Sequence, residues 1–425
     1  MWRFRLFLFL MGWGGVSAGW AVEEKSFLFS PLAEVPEWRL LDSFQGAITQ
    51  EEFSKRCQRV FDPSGALAKY CAIDDQGVSV YRDVGKTELL YRLKWAGENE
   101  KRAKGEVSFC LPDPEMPLRG QVICLDPGHI GGDWADVEER TFRIGRDRPV
   151  VEGELNLKTC RLLEERLSRA GAKVVWTHNG FSPTTPLRPS DLYPEAIQYL
   201  LQDFRSRRVP RYSMNGLIRW NAELLFYRSA EIQARARRVN EELRPDFTLC
   251  LHYNAAPWGS RGRPSLTNVS RLVIFAHGAY TASELVYDDQ KFHLLRKLLE
   301  NSTPEEVGLG AEIGKQFQKK WGFRPENYEG SGYACASGVS PYVWHRNLIA
   351  NRLFRGPTVF VEGPYMNDRT AYAWIQAGEY EGKRTFAGKE RENIFREYAD
   401  QVADGVIERF RTLSGRSTAF TNYSP

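Results

Sequence analysis

A chain of 425 residues is longer than one average domain needs. At 42% apolar and 13% aromatic content it can bury a sizeable core, which excludes a disordered protein. The net charge is +4. Loss of Arg3 and Arg5 with an N-terminal export segment would leave 56 basic against 54 acidic side chains, too small an excess to support nucleic-acid binding, and no basic run with interleaved aromatics occurs.

The chain begins with a basic start at Arg3 and Arg5, an apolar stretch from Leu6 to Gly12, and small residues at Gly14, Gly15, Ser17 and Ala18. The apolar core is too short to span a bilayer comfortably, so residues 1–21 read as a signal peptide cleaved after Ala18 or Ala21; the alternative is an uncleaved anchor. A periplasmic or secreted protein is expected. Residues 22–110 read as a small α+β domain. Within it, Thr49 and Glu52 have helix-start spacing, and Val78 to Tyr81 and Leu89 to Leu93 suit short strands. Cys57 and Cys71, in one compact segment, are the best disulfide candidates among seven cysteines. No CxxC pair exists, which argues against a cysteine zinc site. The charged stretch 98–104 and three prolines lead into a linker at 111–119.

From Gly120 to about 415 the pattern changes, with residues 416–425 left as a tail. Val122 to Leu125, Val174 to Trp176, Phe247 to Leu251, Leu272 to Phe275 and Val359 to Val361 are apolar on both faces, as central strands covered by helices require. Helices are predicted from Glu152, over Ala222 to Leu243, over Gly310 to Lys320 and over Asn393 to Phe410, from apolar residues at helical spacing. The alternation predicts an α/β fold, a mostly parallel twisted sheet with helices on both faces. Two insertions, near 180–228 and 279–310, interrupt it.

Sites in such sheets form beyond the carboxyl ends of the strands. His129 follows the first strand through the turn Asp126, Pro127 and Gly128. His252 ends the Phe247 to Leu251 run, Glu362 ends Val359 to Val361, and Glu152 opens the helix after the first strand. Two imidazoles and a carboxylate form an open zinc set with a position left for water. His277 also follows a strand and competes for a ligand position, whereas His178, His293 and His345 have no such placement.

Four blocks carry a resemblance. Val122 to His129, Val151 to Leu157, Leu249 to Ala255 and Val359 to Asp368, taken in order, resemble the zinc-dependent N-acetylmuramoyl-L-alanine amidases. The resemblance implies zinc held by His129, Glu152 and His252, with Glu152 selected over Glu154 by the family register. It implies Glu362 as the catalytic base and acid, and substrate contacts from Arg235 and Asn254. Arg235 and Asn240 fall at the family's Arg and Asn positions. The substrate class implied is peptidoglycan, cut at the amide between the lactyl group of N-acetylmuramic acid and L-alanine of the stem peptide. The chain departs from the family at Thr177-His178, where Thr-Arg is usual, at Ile130 after the first histidine, and at Gly363-Pro364-Tyr365 in the last block. The 180–228 insertion is similar in position to a segment that covers the zinc in some relatives until a protein activator displaces it. Asp191, Glu195, Asp203 and Glu223 are the acids such a plug would use, and a surface insertion shaping the cleft is the simpler reading. A monomer is expected. An exported zinc carboxypeptidase and a non-catalytic wall-binding protein are the alternatives.

Overall fold

The structure, a computed structural model, describes residues 28–97, 115–206, 214–257 and 264–421. The export segment, the charged stretch 98–104, the first four residues of the linker and the end of the tail lie outside those residues. Among the described residues, no helix is long and apolar enough to cross a membrane.

The N-terminal unit pairs a short helix, α1 (Gln50–Arg56), with an antiparallel three-stranded sheet of β1 (Cys71–Ile73), β2 (Gly77–Tyr81) and β3 (Leu89–Lys94). Thr49 caps α1 as its spacing predicts, its hydroxyl oxygen accepting from the Glu52 N–H at 3.2 Å. Phe53, Phe61, Leu67, Val78, Val80 and Leu93 form the unit's core. That core is completed by Phe292, Leu294, Leu295 and Leu298, from a helix inside the 279–310 insertion. The insertion is therefore the surface on which the N-terminal unit docks. Cys57 and Cys71 both lie in this core as free thiols, so the predicted bridge is not formed. Burial pushes both thiols up in pKa, and they pack as small hydrophobes.

The main sheet begins with β4 (Val122–Pro127). A short hairpin, β5 (Thr141–Phe142) and β6 (Val150–Val151), leads into α2 (Glu152–Arg169) and β7 (Lys173–Trp176). The first insertion folds as α3 (Tyr193–Ser206) and α4 (Met214–Leu225). The latter runs through π-helical turns into α5 (Glu231–Arg237) and on to Leu243. Then come β8 (Phe247–Asn254), β9 (Arg271–Ala276), α6 (Asp288–Glu300) and α7 (Thr303–Trp321). They are followed by β10 (Arg324–Pro325), β11 (Ala334–Ala336), β12 (Val343–Arg346), α8 (Ile349–Leu353), β13 (Thr358–Tyr365), α9 (Arg369–Ala377) and α10 (Ile394–Thr421).

The strand order is β11-β12-β9-β13-β8-β4-β7, with β10 also pairing β9. β13, β8, β4 and β7 run parallel; β9 and β12 run together in the opposite sense, and β11 pairs antiparallel with β12. The sheet is thus mostly parallel, with a reversed edge that the apolar run at Leu272 to Phe275 could not reveal. Alternate residues serve the two faces. Ile123, Leu125, Leu249, Leu251, Val359 and Val361 pack with residues of α2, α7 and α10, while Cys124, Cys250 and Phe360 pack with Ala236, Val239 and Phe354 of the opposite layer. This two-sided burial is why the strands carry no polar alternation.

The α7–α10 contact is close enough to require glycine. A Cβ on Gly405 would lie 2.5 Å from the Ile313 Cα. Gly405→Ala gains about 1 kcal/mol in helix propensity. It should lose about 1–3 kcal/mol to overpacking against backbone that cannot yield. Net destabilisation in urea unfolding is expected, and a variant more stable than the parent would show that the helices are not in this register.

Candidate metal centre

The turn after β4 carries His129, and its backbone polar groups are almost fully accounted for. The Gly128 N–H donates to the Leu251 carbonyl at 2.8 Å, and the Gly128 carbonyl accepts from Asn156 Nδ2 at 2.9 Å. The Pro127 carbonyl accepts from Arg235 Nη1 at 2.9 Å and faces His178 Nε2 at 2.8 Å. The His129 carbonyl accepts from Arg235 Nη2 at 3.0 Å. Beyond it, the Ile130 and Gly131 N–H groups both donate to the Glu138 carboxylate. These bonds hold His129 at φ 66°, a left-handed conformation that costs a side-chain-bearing residue about 1–2 kcal/mol. Glycines make the approach possible. A Cβ on Gly128 would run into the His252 ring, and one on Gly153 would lie 2.6 Å from the Gly131 nitrogen.

Arg235 is the anchor of this turn. Its guanidinium pairs with Asp126 at 3.1 Å and Glu231 at 2.8 Å, and all three residues are under 5% exposed. Thr177 donates to the same Asp126 oxygen at 2.6 Å. Burial works against ionising Asp126, but Arg235 outweighs it and holds the carboxyl below its usual range. The expected substrate contact from Arg235 is therefore not met: its nitrogens are spent inward, on the turn. Arg235→Met leaves two buried carboxylates without a cation and should cost about 3–5 kcal/mol in chemical denaturation. A loss below ~1 kcal/mol would mean that the network is solvated.

The structure brings His129, Glu152 and His252 together, their ligand atoms all within 4.8 Å of one another. His129 Nε2 lies 3.2 Å from Glu152 Oε2, and His252 Nδ1 lies 3.1 Å from Glu152 Oε1. Two imidazole nitrogens and a carboxylate this close together are a donor set that could hold a zinc-sized ion. Among the described residues no other such group occurs. The electrostatics suit a cation as well. Burial opposes charging of His129, but Glu152 and Glu138 overcome it and raise its pKa to about 9. Burial likewise opposes ionisation of Glu152, and the two imidazoles overcome it and hold the carboxyl far below its ordinary range. His252 is pushed down, chiefly by burial. It stacks on Phe360 with ring centroids 4.2 Å apart.

Glu362 stands opposite His252 in the β13–β8 register. Burial and then the Glu152 charge raise its pKa to about 8. Tyr398 of α10 ties the two strand ends, its hydroxyl donating to the His252 carbonyl at 2.9 Å, with the Val361 carbonyl at 3.2 Å. Asn254 ends β8 half-buried, its side-chain oxygen accepting from the Ala255 N–H at 2.7 Å. Asn240 is not at the cluster: it bonds the Leu353 carbonyl and the Arg355 N–H.

His277 does not join the cluster. It is buried with Nε2 at 3.0 Å from the Tyr280 hydroxyl, and burial and then Lys297 depress its pKa strongly. His178 braces the turn through Pro127 and also faces the Gly180 carbonyl. Among the described side chains of the 180–228 insertion, no acid enters the cluster. Asp191 caps the Arg188 N–H, and the Asp203 side chain lies outside the described residues. The insertion packs beside the site, with Leu192, Ala196, Leu225 and Phe226 gathered around Ile130. Sequence reasoning missed Glu138 and Arg140. Arg140 Nε lies 3.5 Å from Glu152 Oε2, and its carbonyl accepts from the Glu152 N–H at 3.0 Å. Both residues sit in a charged run at 138–140 that looks like solvated surface, and no spacing rule sets them apart.

Fold and site together define an α/β protein with a cluster of two histidines and one carboxylate, at the carboxyl edge of its sheet, that could hold a metal ion. No protein-family model matches the chain, and no curated protein matches it. Among solved structures it is similar to the CwlD amidase of Clostridioides difficile in complex with the GerS lipoprotein, at 11% identity and TM-score 0.37, over 69% of this chain and 100% of that one. It is also similar to the N-acetylmuramyl-L-alanine amidase Ami1 of Mycobacterium smegmatis, at 15% identity and TM-score 0.36, over 69% of this chain and 99% of that one. A third is the catalytic domain of CwlV, an N-acetylmuramoyl-L-alanine amidase of Bacillus (Paenibacillus) polymyxa var. colistinus, at 12% identity and TM-score 0.36, over 68% and 98%. At these TM-scores the likeness carries no argument about activity.

Proposed function

We propose that this protein is an exported, zinc-dependent N-acetylmuramoyl-L-alanine amidase acting on peptidoglycan. The observation that carries the reading is the convergence of His129, Glu152 and His252, with Glu362 one strand away. These are the four residues that the sequence blocks single out. Export rests on the N-terminal pattern of residues 1–21.

His129, Glu152 and His252 would hold the ion, and their donor set fits zinc. When bound there, zinc supplies Lewis-acid chemistry, acidifying a water molecule and polarising the scissile carbonyl. Glu362 accepts the water's proton and returns it to the departing alanine nitrogen. Burial and the Glu152 charge let Glu362 keep its proton up to about pH 8 in the metal-free protein. Positive charge at the cluster lowers that value and makes it a base at neutral pH. Asn254, at the end of β8 beside this group, is left as the substrate contact.

Purified peptidoglycan should be cut by the mature protein with zinc, releasing intact stem peptides and bare glycan strands. A chelator should abolish turnover. Glu362→Ala should still bind zinc but lose at least 100-fold in rate. Glu152→Gln should lower zinc occupancy where Glu154→Gln does not. Release of single terminal amino acids would identify a carboxypeptidase, and full activity with the chelator would overturn the mechanism.

Zinc affinity should also depend on pH with a definite sign. His129, with its pKa raised to about 9, carries a proton at neutral pH in the metal-free protein, and a ligand imidazole must be neutral. Each zinc therefore displaces the His129 proton and, by lowering the Glu362 value, up to one more, so affinity should rise at least tenfold and at most about a hundredfold per pH unit between pH 6 and 8 in chelator-competition titrations. A flat profile would show that His129 is already neutral.

A further inference from the structure

We propose that Glu138 is a positioning residue of this metal centre, its carboxylate orienting the His129 imidazole so that Nε2 faces the ion. The inference rests on the zinc reading above. The two ring nitrogens of His129 face two carboxylates. Nε2 lies 3.2 Å from Glu152 Oε2, and Nδ1 lies 3.4 Å from Glu138 Oε1. Glu138 is 2% exposed. It is itself held by the Ile130 N–H at 2.9 Å and the Gly131 N–H at 2.9 Å, which leaves it little freedom to turn away. A carboxylate that bonds the non-ligating nitrogen selects the tautomer and the ring angle, and such partners are worth about 10–100-fold in metal affinity.

The two histidines are held by different means. His252 presents Nδ1 to Glu152 and is stacked on Phe360, so packing sets its ring. His129 sits on a strained turn, half-buried, with Glu152 facing its ligating nitrogen, Glu138 facing the other, and the His252 ring against it edge-on. The loop that supplies Glu138 is in turn anchored on the first insertion. The Glu138 N–H donates to the Trp134 carbonyl at 2.9 Å, the Trp134 ring packs on Phe226 with centroids 4.9 Å apart, and Trp220 Nε1 donates to Glu139 at 3.2 Å. The insertion thus supports the metal centre through Trp134 and Glu138 without contributing a ligand.

The test compares wild type, Glu138→Ala and Glu138→Gln in the full mature chain. Zinc affinity is read by competition with a chromophoric chelator. The His129 Nδ1 resonance is read by selective ¹⁵N labelling of the six histidines, with and without zinc. Glu138→Ala is expected to weaken zinc binding about 10–100-fold and to remove the hydrogen-bonded Nδ1–H signature. Glu138→Gln, which keeps one acceptor oxygen, should recover part of both. A merely structural role, confined to the Ile130 and Gly131 N–H groups, would lower the melting temperature and leave the His129 resonance unmoved. That result, or unchanged zinc affinity in a folded Glu138→Gln protein should the alanine variant not fold, overturns the proposal. If wild type binds no zinc, the functional reading fails, and the Nδ1 resonance still decides the role of Glu138.

Discussion

A single buried guanidinium underlies the candidate site. Arg235, on α5, reaches beneath the carboxyl edge of the sheet to Asp126 at the end of β4, to Glu231 one turn back on its own helix, and to two carbonyls of the His129 turn. A charge this deeply buried is tolerated only where every donor is matched. The matching partners are the backbone that must adopt a left-handed conformation at His129. Helix, strand end and turn are locked as one unit, and the imidazole is presented before any ion arrives.

The rest of the centre follows from that lock. Gly128 lets the turn pass against the His252 ring, and Gly153 lets the same turn lie on the first residues of α2, where Glu152 projects. The Glu152 N–H is bonded to the Arg140 carbonyl, so the loop that carries Glu138 also sets the start of α2. Preorganisation of this kind keeps like and unlike charges in contact in the absence of metal. Contact with Glu152 and Glu138 holds His129 protonated well above its ordinary range, while burial and then the Glu152 charge let Glu362 keep its proton near neutrality. A cation entering the cluster relieves both conditions at once.

The two insertions serve support. The 279–310 segment carries α6, whose leucines complete the core of the N-terminal unit. The 180–228 segment packs around Ile130 and carries Trp134 and Glu138 with it. Their apolar residues are at ordinary helical spacing, and nothing in that spacing tells which surface a helix will cover. For the same reason the Cys57 and Cys71 pair, close in sequence and in space, could not be told from two buried thiols.

Strand and helix positions were legible because two-sided burial leaves continuous apolar runs and one-sided burial leaves a 3.6-residue period. β4, β8, β13 and the start of α2 at Glu152 fall where those patterns put them. Strand polarity placed His129, His252 and Glu362 along one edge, while Glu152 over Glu154 rested on the resemblance and not on spacing. The direction of β9 was not legible, since an apolar run reads the same both ways. Nor was the split between Arg235 as a substrate contact and Arg235 as an internal anchor, or the part played by Glu138. Both depend on which charges end up buried together. Local sequence specifies elements and the edge where chemistry can gather, through side-chain period and strand polarity. The tertiary structure alone decides which ionised groups lose water to one another, because desolvation belongs to the packed assembly and not to any residue in it.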